Sequence, residues 1–444
     1  MNRIKYTFAL IYLLCVISYS SFSQAPHTTL YVNGRTLYTP CGDEVLLRGV
    51  NKMIIYTDDV ALRKQTFVEI RKTGANCTRI VWLANPTDQV DATPAGLDRN
   101  IQDCIDNGMI PMVELHDATG EWAMLQQMAD YWVSPEVVNV VKKHEKYMLL
   151  NIGNEIGNET VTNEQFKAGY ITAVTKIRTA GIHCPIVIDA AEWGKNLDLL
   201  IATGKDITAA DPDHNLIFSV HMYWAVSEGA DEAFIASKLT AAYDANIPLI
   251  VGEFTYKFNM DKVCEYVCNY QTIIKDCQNL GFGWLAWEWG PGNGYFDKSC
   301  DIMDMTTDSY FNTLKAGWQS DVAIDNQYSI RNTSITPKYI LLKGFCDSVA
   351  SDVDFINLSS NWEIFPNPVA DGTNISITSE YEIKAKIQIF NSLGNNLGTV
   401  YDGILSSGTN NIHLTGISEL SSGIYFCRLS VHSINSLKQF TVIR

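Results

Sequence analysis

The feature that most limits what this chain can fold into is a repeat. Between residues 46 and 344, short apolar runs of β type alternate with amphipathic helical stretches. The runs fall at residues 46–50, 77–83, 110–115, 147–152, 185–188, 216–221, 248–252 and 282–287. Helix candidates at residues 61–73, 163–180, 232–245 and 262–279 carry apolar side chains at three- and four-residue spacing. Runs that are apolar throughout belong to strands buried on both faces, the condition of a parallel sheet clad in helices. Eight such units in succession suit a closed (β/α)8 barrel. An open doubly wound sheet shares the pattern, but it would want a glycine-rich phosphate turn after an early strand, and none is present.

With 444 residues the chain exceeds a single core, so a second, smaller domain is expected. Residues 347–360 are polar and irregular and read as a linker. Residues 361–444 follow, with alternating runs at 383–390, 423–431 and 438–443 and turn signals at 392–398 and 406–411, the pattern of a small β-sandwich. At the other end, Arg3 and Lys5 precede an apolar stretch from Tyr6 to Ile17 and then small polar residues. This is a signal peptide over residues 1–24, too short in its apolar core to span a membrane, which leaves 25–346 for the barrel and predicts an exported protein.

Export lets the cysteines other than Cys15 pair, with connectivity left open. Cys77, Cys104 and Cys184 lie in or beside apolar runs and read as inert buried thiols. Cys264 and Cys268 are spaced for one face of a helix, without the His or Asp cluster a zinc site would need. A net charge of -16 disfavours nucleic acid and anionic membranes, whose phosphates would be repelled. An uncharged ligand fits better, and the 10 Trp and 21 Tyr supply flat rings on which sugar faces stack.

In a (β/α)8 barrel the carboxyl ends of the strands surround the active site. The fourth run leads through Asn154 into Glu155 and the seventh ends in Glu253, so two apolar strands each drive into a carboxylate. Burying an ionisable group there is costly unless it has a partner or a task. A pair of carboxylates is what glycoside hydrolysis needs: one neutral, to protonate the leaving oxygen, and one ionised, to attack the anomeric carbon. Arg79, inside the second run, could hold Glu253 ionised. His116 and Asp117 end the third run, His221 and Tyr223 the sixth, and Trp287 the eighth, where they could bind sugar hydroxyls or floor a ring. Asp189 and Trp193 follow the fifth and could line the cleft or hold a loop. Glu114 and Glu288, by alternation, are expected to point out of the lumen. None of this chemistry calls for a metal or a cofactor.

The segments Leu47-Arg48-Gly49-Val50-Asn51, Gly74-Ala75-Asn76-Cys77-Thr78-Arg79, Glu114-Leu115-His116-Asp117, Asn154-Glu155, Val220-His221-Met222-Tyr223, Val251-Gly252-Glu253-Phe254 and Gly283-Trp284-Leu285-Ala286-Trp287, in this order, resemble glycoside hydrolase family 5. The stretches around His116 to Gly120, Asp130 to Trp132 and Asp189 to Gly194 are similar to bacterial endo-β-1,4-mannanases in particular. The resemblance implies Glu155 as acid/base, Glu253 as nucleophile, and Arg79, His116, Asn154, His221, Tyr223 and Trp287 as the substrate-binding shell, with Trp193 beside them. Two positions depart from the mannanase pattern. Ile156 stands where an aromatic usually follows the acid/base, and Lys52-Met53-Ile54 where a His follows the first-strand Asn. Both are expected near the sugar, so an endo-β-1,4-glucanase stays open as an alternative, with a non-catalytic glycan-binding protein behind it. In the tail, Ile364-Phe365-Pro366-Asn367-Pro368, Ile389-Phe390-Asn391-Ser392-Leu393-Gly394, Leu420 to Tyr425 and the terminal Arg444 resemble the sorting domain of type IX secretion, whose machinery would be the partner during export. The implied protein is a secreted, monomeric polysaccharide hydrolase with no nucleic-acid partner and no membrane insertion.

Overall fold

Strands buried on both faces need a hydrogen-bonded neighbour on both edges, and the eight apolar runs meet that need by closing on themselves. In the computed structural model, residues 27–259, 264–293, 298–346 and 362–444 are described, the last apart from 371, 380–382, 393, 407, 417–418 and 432–433. The signal segment and the linker expected from sequence lie outside the described residues. The chain divides into two units, residues 1–340 and 341–444.

The first unit begins with a small antiparallel sheet of β1 (Tyr31–Asn33), β2 (Thr36–Tyr38) and β3 (Glu44–Val45). The parallel strands β4 (Arg48–Lys52), β5 (Cys77–Trp82), β6 (Ile110–Leu115), β7 (Leu149–Asn151), β8 (Ile186–Asp189), β9 (Leu216–His221) and β10 (Leu249–Glu253) follow in sequence. A short hairpin, β11 (Lys257–Phe258) with β12 (Tyr266–Val267), interrupts them before β13 (Gly283–Ala286) pairs with both β10 and β4 and closes the barrel. The helices between strands are α1 (Val60–Arg71), α2 (Pro94–Asp106), α3 (Leu125–Trp132), α4 (Pro135–His144), α5 (Asn163–Thr179), α6 (Leu197–Ala210), α7 (Glu232–Asp244) and α8 (Tyr270–Leu280). Their starts are written in the sequence. Thr162 and Gln165 form a reciprocal capping box on α5, Thr93 caps α2 with Pro94 in its first turn, and Asp59 and Asp231 cap α1 and α7.

The period-2 alternation of the strands sorts their side chains into two cores. Leu47, Cys77, Ile110, Met112, Leu149, Val187, Ile217, Ile250 and Leu285 point into the lumen and pack on Leu30, Leu37 and Val45 of the amino-terminal segment, which fills the lower end of the barrel. Val50, Ile80, Trp82, Val113, Leu150, Ile188, Phe218, Val220 and Trp284 face outward into the jacket of helices. The helix expected at 262–279 is shorter than its periodicity suggests. The chain is in β12 at Tyr266–Val267, and α8 starts at Tyr270, where the Asn269 side chain accepts the Thr272 amide. Cys264 and Cys268 therefore do not share a helix face. Cys264 is disulfide-bonded to Cys300, while Cys268 is a buried thiol, as are Cys77, Cys104 and Cys184.

The second unit holds two antiparallel sheets. One is β14 (Trp362–Phe365), β15 (Asn374–Ser379) and β18 (Gly408–His413), and the other is β16 (Ile383–Asn391), β17 (Asn396–Leu405), β19 (Gly423–Val431) and β20 (Ile434–Val442). Ile375, Ile377, Ile387, Ile389, Leu429 and Phe440 share one buried cluster between them, the sandwich expected from alternation. The stretch at 406–411, expected to be a turn, is mostly strand: β18 runs antiparallel to β15 with Ile412 opposite Ile375. Among the described residues no helix is long and apolar enough to cross a membrane.

Candidate active site

The site lies one pleat above the apolar lumen floor. Arg79 follows Cys77, Glu114 follows Met112, Asn151 follows Leu149, Asp189 follows Val187 and Trp287 follows Leu285, each two residues on and so on the same lumen face. Glu253 is different. Ile250 faces the lumen, so strict alternation would send Glu253 outward. The ladder between β10 and β9 slips here: Val251 opposes Val220, yet Glu253 opposes His221. The bulge at Gly252 turns the carboxylate inward. Any side chain at 252 would collide, since a Cβ there would lie 2.2 Å from Ser219 Oγ and 2.9 Å from His221 Nε2.

Glu155 reaches the lumen by another route. It follows β7 in a left-handed conformation, φ 48°, which a non-glycine residue holds only when its surroundings dictate it. Its amide donates to Asp189 Oδ2 at 3.2 Å, and its carbonyl accepts the Gly120 amide at 2.9 Å. The carboxylate thus arrives against His221, whose Nδ1 lies 2.7 Å from Glu155 Oε1 and 3.5 Å from Glu253 Oε1. One oxygen of each glutamate and a ring nitrogen of His221 lie within 4.8 Å of one another. These three are the described groups whose spacing could hold a metal ion, but here the compensating charge is Arg79 and the His221 ring.

Arg79 is fully buried and organises the floor of the site. It donates to Glu253 at 2.6 Å, Asn51 at 3.0 Å, Asn154 at 2.8 Å and Asp189 at 3.1 Å, and from both Nε and Nη2 to Asn151. Burial alone would lower its pKa, but the carboxylates of Glu114, Asp189 and Glu253 outweigh that and raise it. Tyr223 donates to the other oxygen of Glu253 at 2.7 Å, so that carboxylate accepts a charge-assisted bond on one side and a phenol on the other. Glu155 has no such support. Burial raises its pKa, and the His221 hydrogen bond only partly reverses this. Burial would lower the pKa of His221, yet the charges of Glu253 and Asp189 prevail and raise it to about 10. The two glutamates therefore sit in unlike surroundings 4.8 Å or less apart, one bonded to a buried guanidinium and a phenol and the other favoured as an acid.

The rim holds the remaining expected residues. Trp287 stacks on His116 with centroids 5.8 Å apart, and its indole N–H is taken by Asn293, whose own side chain is held by Asp304. Asn154 spans Arg79 and Thr119. Trp193, 42% exposed, stands at the mouth on a left-handed turn, and only a glycine at 120 lets its indole lie against the neighbouring backbone. Asp117 faces away from the carboxylates, accepting the amides of Ala84 and Asn85.

Glu114 and the two departures from the mannanase pattern lie elsewhere than expected. Glu114 points into the lumen, 2.8 Å from His116 Nδ1 and 3.8 Å from Arg79 Nη1, because a residue two before His116 shares its face. Glu288 does lie apart from this set, accepting the Met53 amide and facing Lys52. The two departures from the mannanase pattern are not in the cleft. Ile156 is wholly buried in the outer core, and the Lys52 ammonium is buried against the carbonyls of Gly290 and Pro291. Asn51 and Asn151, both ligands of Arg79, were missed; a polar residue ending an otherwise apolar strand was the signal available.

A parallel barrel whose carboxyl-terminal mouth brings together two glutamates in contrasting electrostatic surroundings defines a barrel glycoside hydrolase. Comparison with known proteins agrees. Residues 39–293 match the model for cellulase, glycosyl hydrolase family 5, and residues 363–443 match that for the secretion system C-terminal sorting domain. The chain belongs to glycosyl hydrolase family 5. It is 31% identical over 283 residues to a mannan endo-1,4-beta-mannosidase of Salipaludibacillus agaradhaerens, covering 63% of this chain and 85% of that one. A second such enzyme, from Cellvibrio japonicus, is 29% identical over 315 residues, 68% of this chain and 67% of its own. The crystal structure of a beta-mannanase from Streptomyces thermolilacinus with mannohexaose superposes with a TM-score of 0.62 at 29% identity, covering 71% of this chain and 99% of the other. The tail marks the chain as cargo of type IX secretion.

Proposed function

We propose that the protein is a secreted endo-β-1,4-mannanase that cuts mannan with retention of configuration. The barrel unit spans residues 25–346, the linker 347–360 and the sorting domain 361–444. The observation that carries the reading is the spacing and unlike surroundings of Glu155 and Glu253. Carboxyl groups roughly 5 Å apart leave no room for a water between carboxylate and sugar, so the second must attack directly.

Glu253, ionised against Arg79 and Tyr223, attacks the anomeric carbon while Glu155 gives its proton to the departing glycosidic oxygen. A covalent glycosyl-enzyme forms. Glu155, now a carboxylate beside the His221 cation, takes a proton from water as that water attacks the same carbon and frees Glu253. His116 and Trp287 floor the sugar at the cleavage point, and Trp193 extends the platform along the chain. Mannan as substrate is supported by the named activity of the relatives and by the burial of Ile156 and Lys52-Met53-Ile54, where the chain departs from their pattern.

The test is product analysis on galactomannan, glucomannan and carboxymethylcellulose side by side. Internal cleavage of the two mannans is expected, with release of β-configured products. Preference for carboxymethylcellulose would favour the glucanase reading. A Glu155→Ala variant should regain activity with azide, and an inverted product would refute double displacement.

A further inference from the structure

One fully buried carboxylate at the heart of the site has no part in the bond-making steps. Asp189 ends β8, and its Oδ2 receives the Glu155 amide at 3.2 Å and Arg79 Nη2 at 3.1 Å and lies 3.5 Å from His221 Nε2. Its Oδ1 accepts Asn151 Nδ2 at 3.3 Å. His221 Nε2 is buried and makes no hydrogen bond, so Asp189 is the anion it faces. Three of these partners serve the glutamates: Arg79 binds Glu253, His221 binds Glu155, and the amide belongs to Glu155 itself.

Resting on the reading of Glu155 as the acid, we propose that Asp189 is a positioning residue that pins the left-handed backbone of Glu155 and holds His221 charged against it. Two physical steps support this. A residue at φ 48° returns to the extended region when its restraints are removed, and for Glu155 those restraints are the Asp189 oxygen on the amide and Gly120 on the carbonyl. That return would swing the carboxylate off His221. In addition, the His221 ring is faced by Glu155, Asp189 and Glu253 from three different elements, with Arg79 behind them. Removing one of the three anions weakens its hold on the proton, and a neutral ring no longer lowers the pKa of Glu155.

The experiment is Asp189→Asn, which keeps the shape and removes the charge, assayed on mannohexaose and on a dinitrophenyl β-mannoside whose leaving group needs no protonation. The expected result is a loss of about 10- to 100-fold in kcat on mannohexaose, at or below the lower end of what general acid–base catalysis supplies because Glu155 itself remains, with KM little changed. The activated substrate should lose far less in the glycosylation step, and the alkaline limb of kcat/KM should move to higher pH. Equal losses on both substrates, or no loss on either, would overturn the proposal. If Asp189→Asn does not fold, nitrogen NMR of the wild-type imidazole still tests the charge: both ring nitrogens of His221 protonated at pH 8 is expected, and a neutral ring at that pH overturns it. Failure of Glu155 as the acid would show separately, as full activity of Glu155→Ala without azide.

Discussion

Replacing Gly252 by alanine tests whether the bulge in β10 is what delivers the nucleophile. The added Cβ would stand 2.2 Å from Ser219 Oγ and 2.9 Å from His221 Nε2, whereas non-bonded heavy atoms rest roughly 3.5 Å apart. More than an ångström must be found, and neither neighbour can give easily, since both side chains are buried on β9. Overpacking of this kind costs about 1–3 kcal/mol, which lowers the melting temperature by roughly 2–4 °C per kcal/mol in a unit of this size. The strain falls on the two residues that set the glutamate pair, and a displacement of about 1 Å in such a constellation costs on the order of 100-fold in rate. The measurements are a thermal melt and kcat/KM on mannohexaose. Adding Ser219→Ala removes the nearer contact but not the one to His221, so the double variant should regain most of the stability and only part of the activity. Wild-type kcat/KM in Gly252→Ala would show that Glu253 does not depend on the bulge.

Activity should fall as pH rises through the pKa of Glu155, which must be protonated to act as the acid and which burial raises above the ordinary carboxylate value. His221→Asn removes the cation that lowers that pKa, so among the residual activity the alkaline limb of kcat/KM should move to higher pH; a shift to lower pH would reverse the assigned sign. Arg79→Lys keeps the charge but offers three donors in place of a planar fork that reaches Glu253, Asn51, Asn151, Asn154 and Asp189. Leaving buried acceptors unpaired should cost about 1–3 kcal/mol in unfolding free energy by denaturant titration, and no measurable loss would contradict the network.

The barrel was legible because strands buried on both faces leave an unbroken apolar signature, and the glutamates because they end two such runs. Alternation, rightly applied, puts Glu114 in the lumen, since two residues separate it from His116 and one face must hold both. The inward direction of Glu253 runs against alternation from Ile250, because a one-residue slip in a ladder leaves no mark in the residues themselves. The start of α8 was misjudged because the apolar spacing continues upstream through β12, a strand fixed by pairing with β11 rather than by its own composition. In the tail, β14, β15, β17 and β18 leave little trace in the sequence because their runs are short or polar on the exposed face, and only the partner strands define them.

The lumen floor beneath the site has a bearing on how such an enzyme changes over generations. Leu47, Ile110, Leu149, Ile217 and Leu285, closed from below by Leu30, Leu37 and Val45, form an apolar floor that takes no part in the chemistry. The loops that carry Trp193 and Asn293 are rooted one pleat higher, clear of the pinned turn at Glu155. Drift in those loops can exchange one sugar for another while the floor keeps the arginine and its carboxylates aligned, so new specificities are open to this lineage without first loosening its fold.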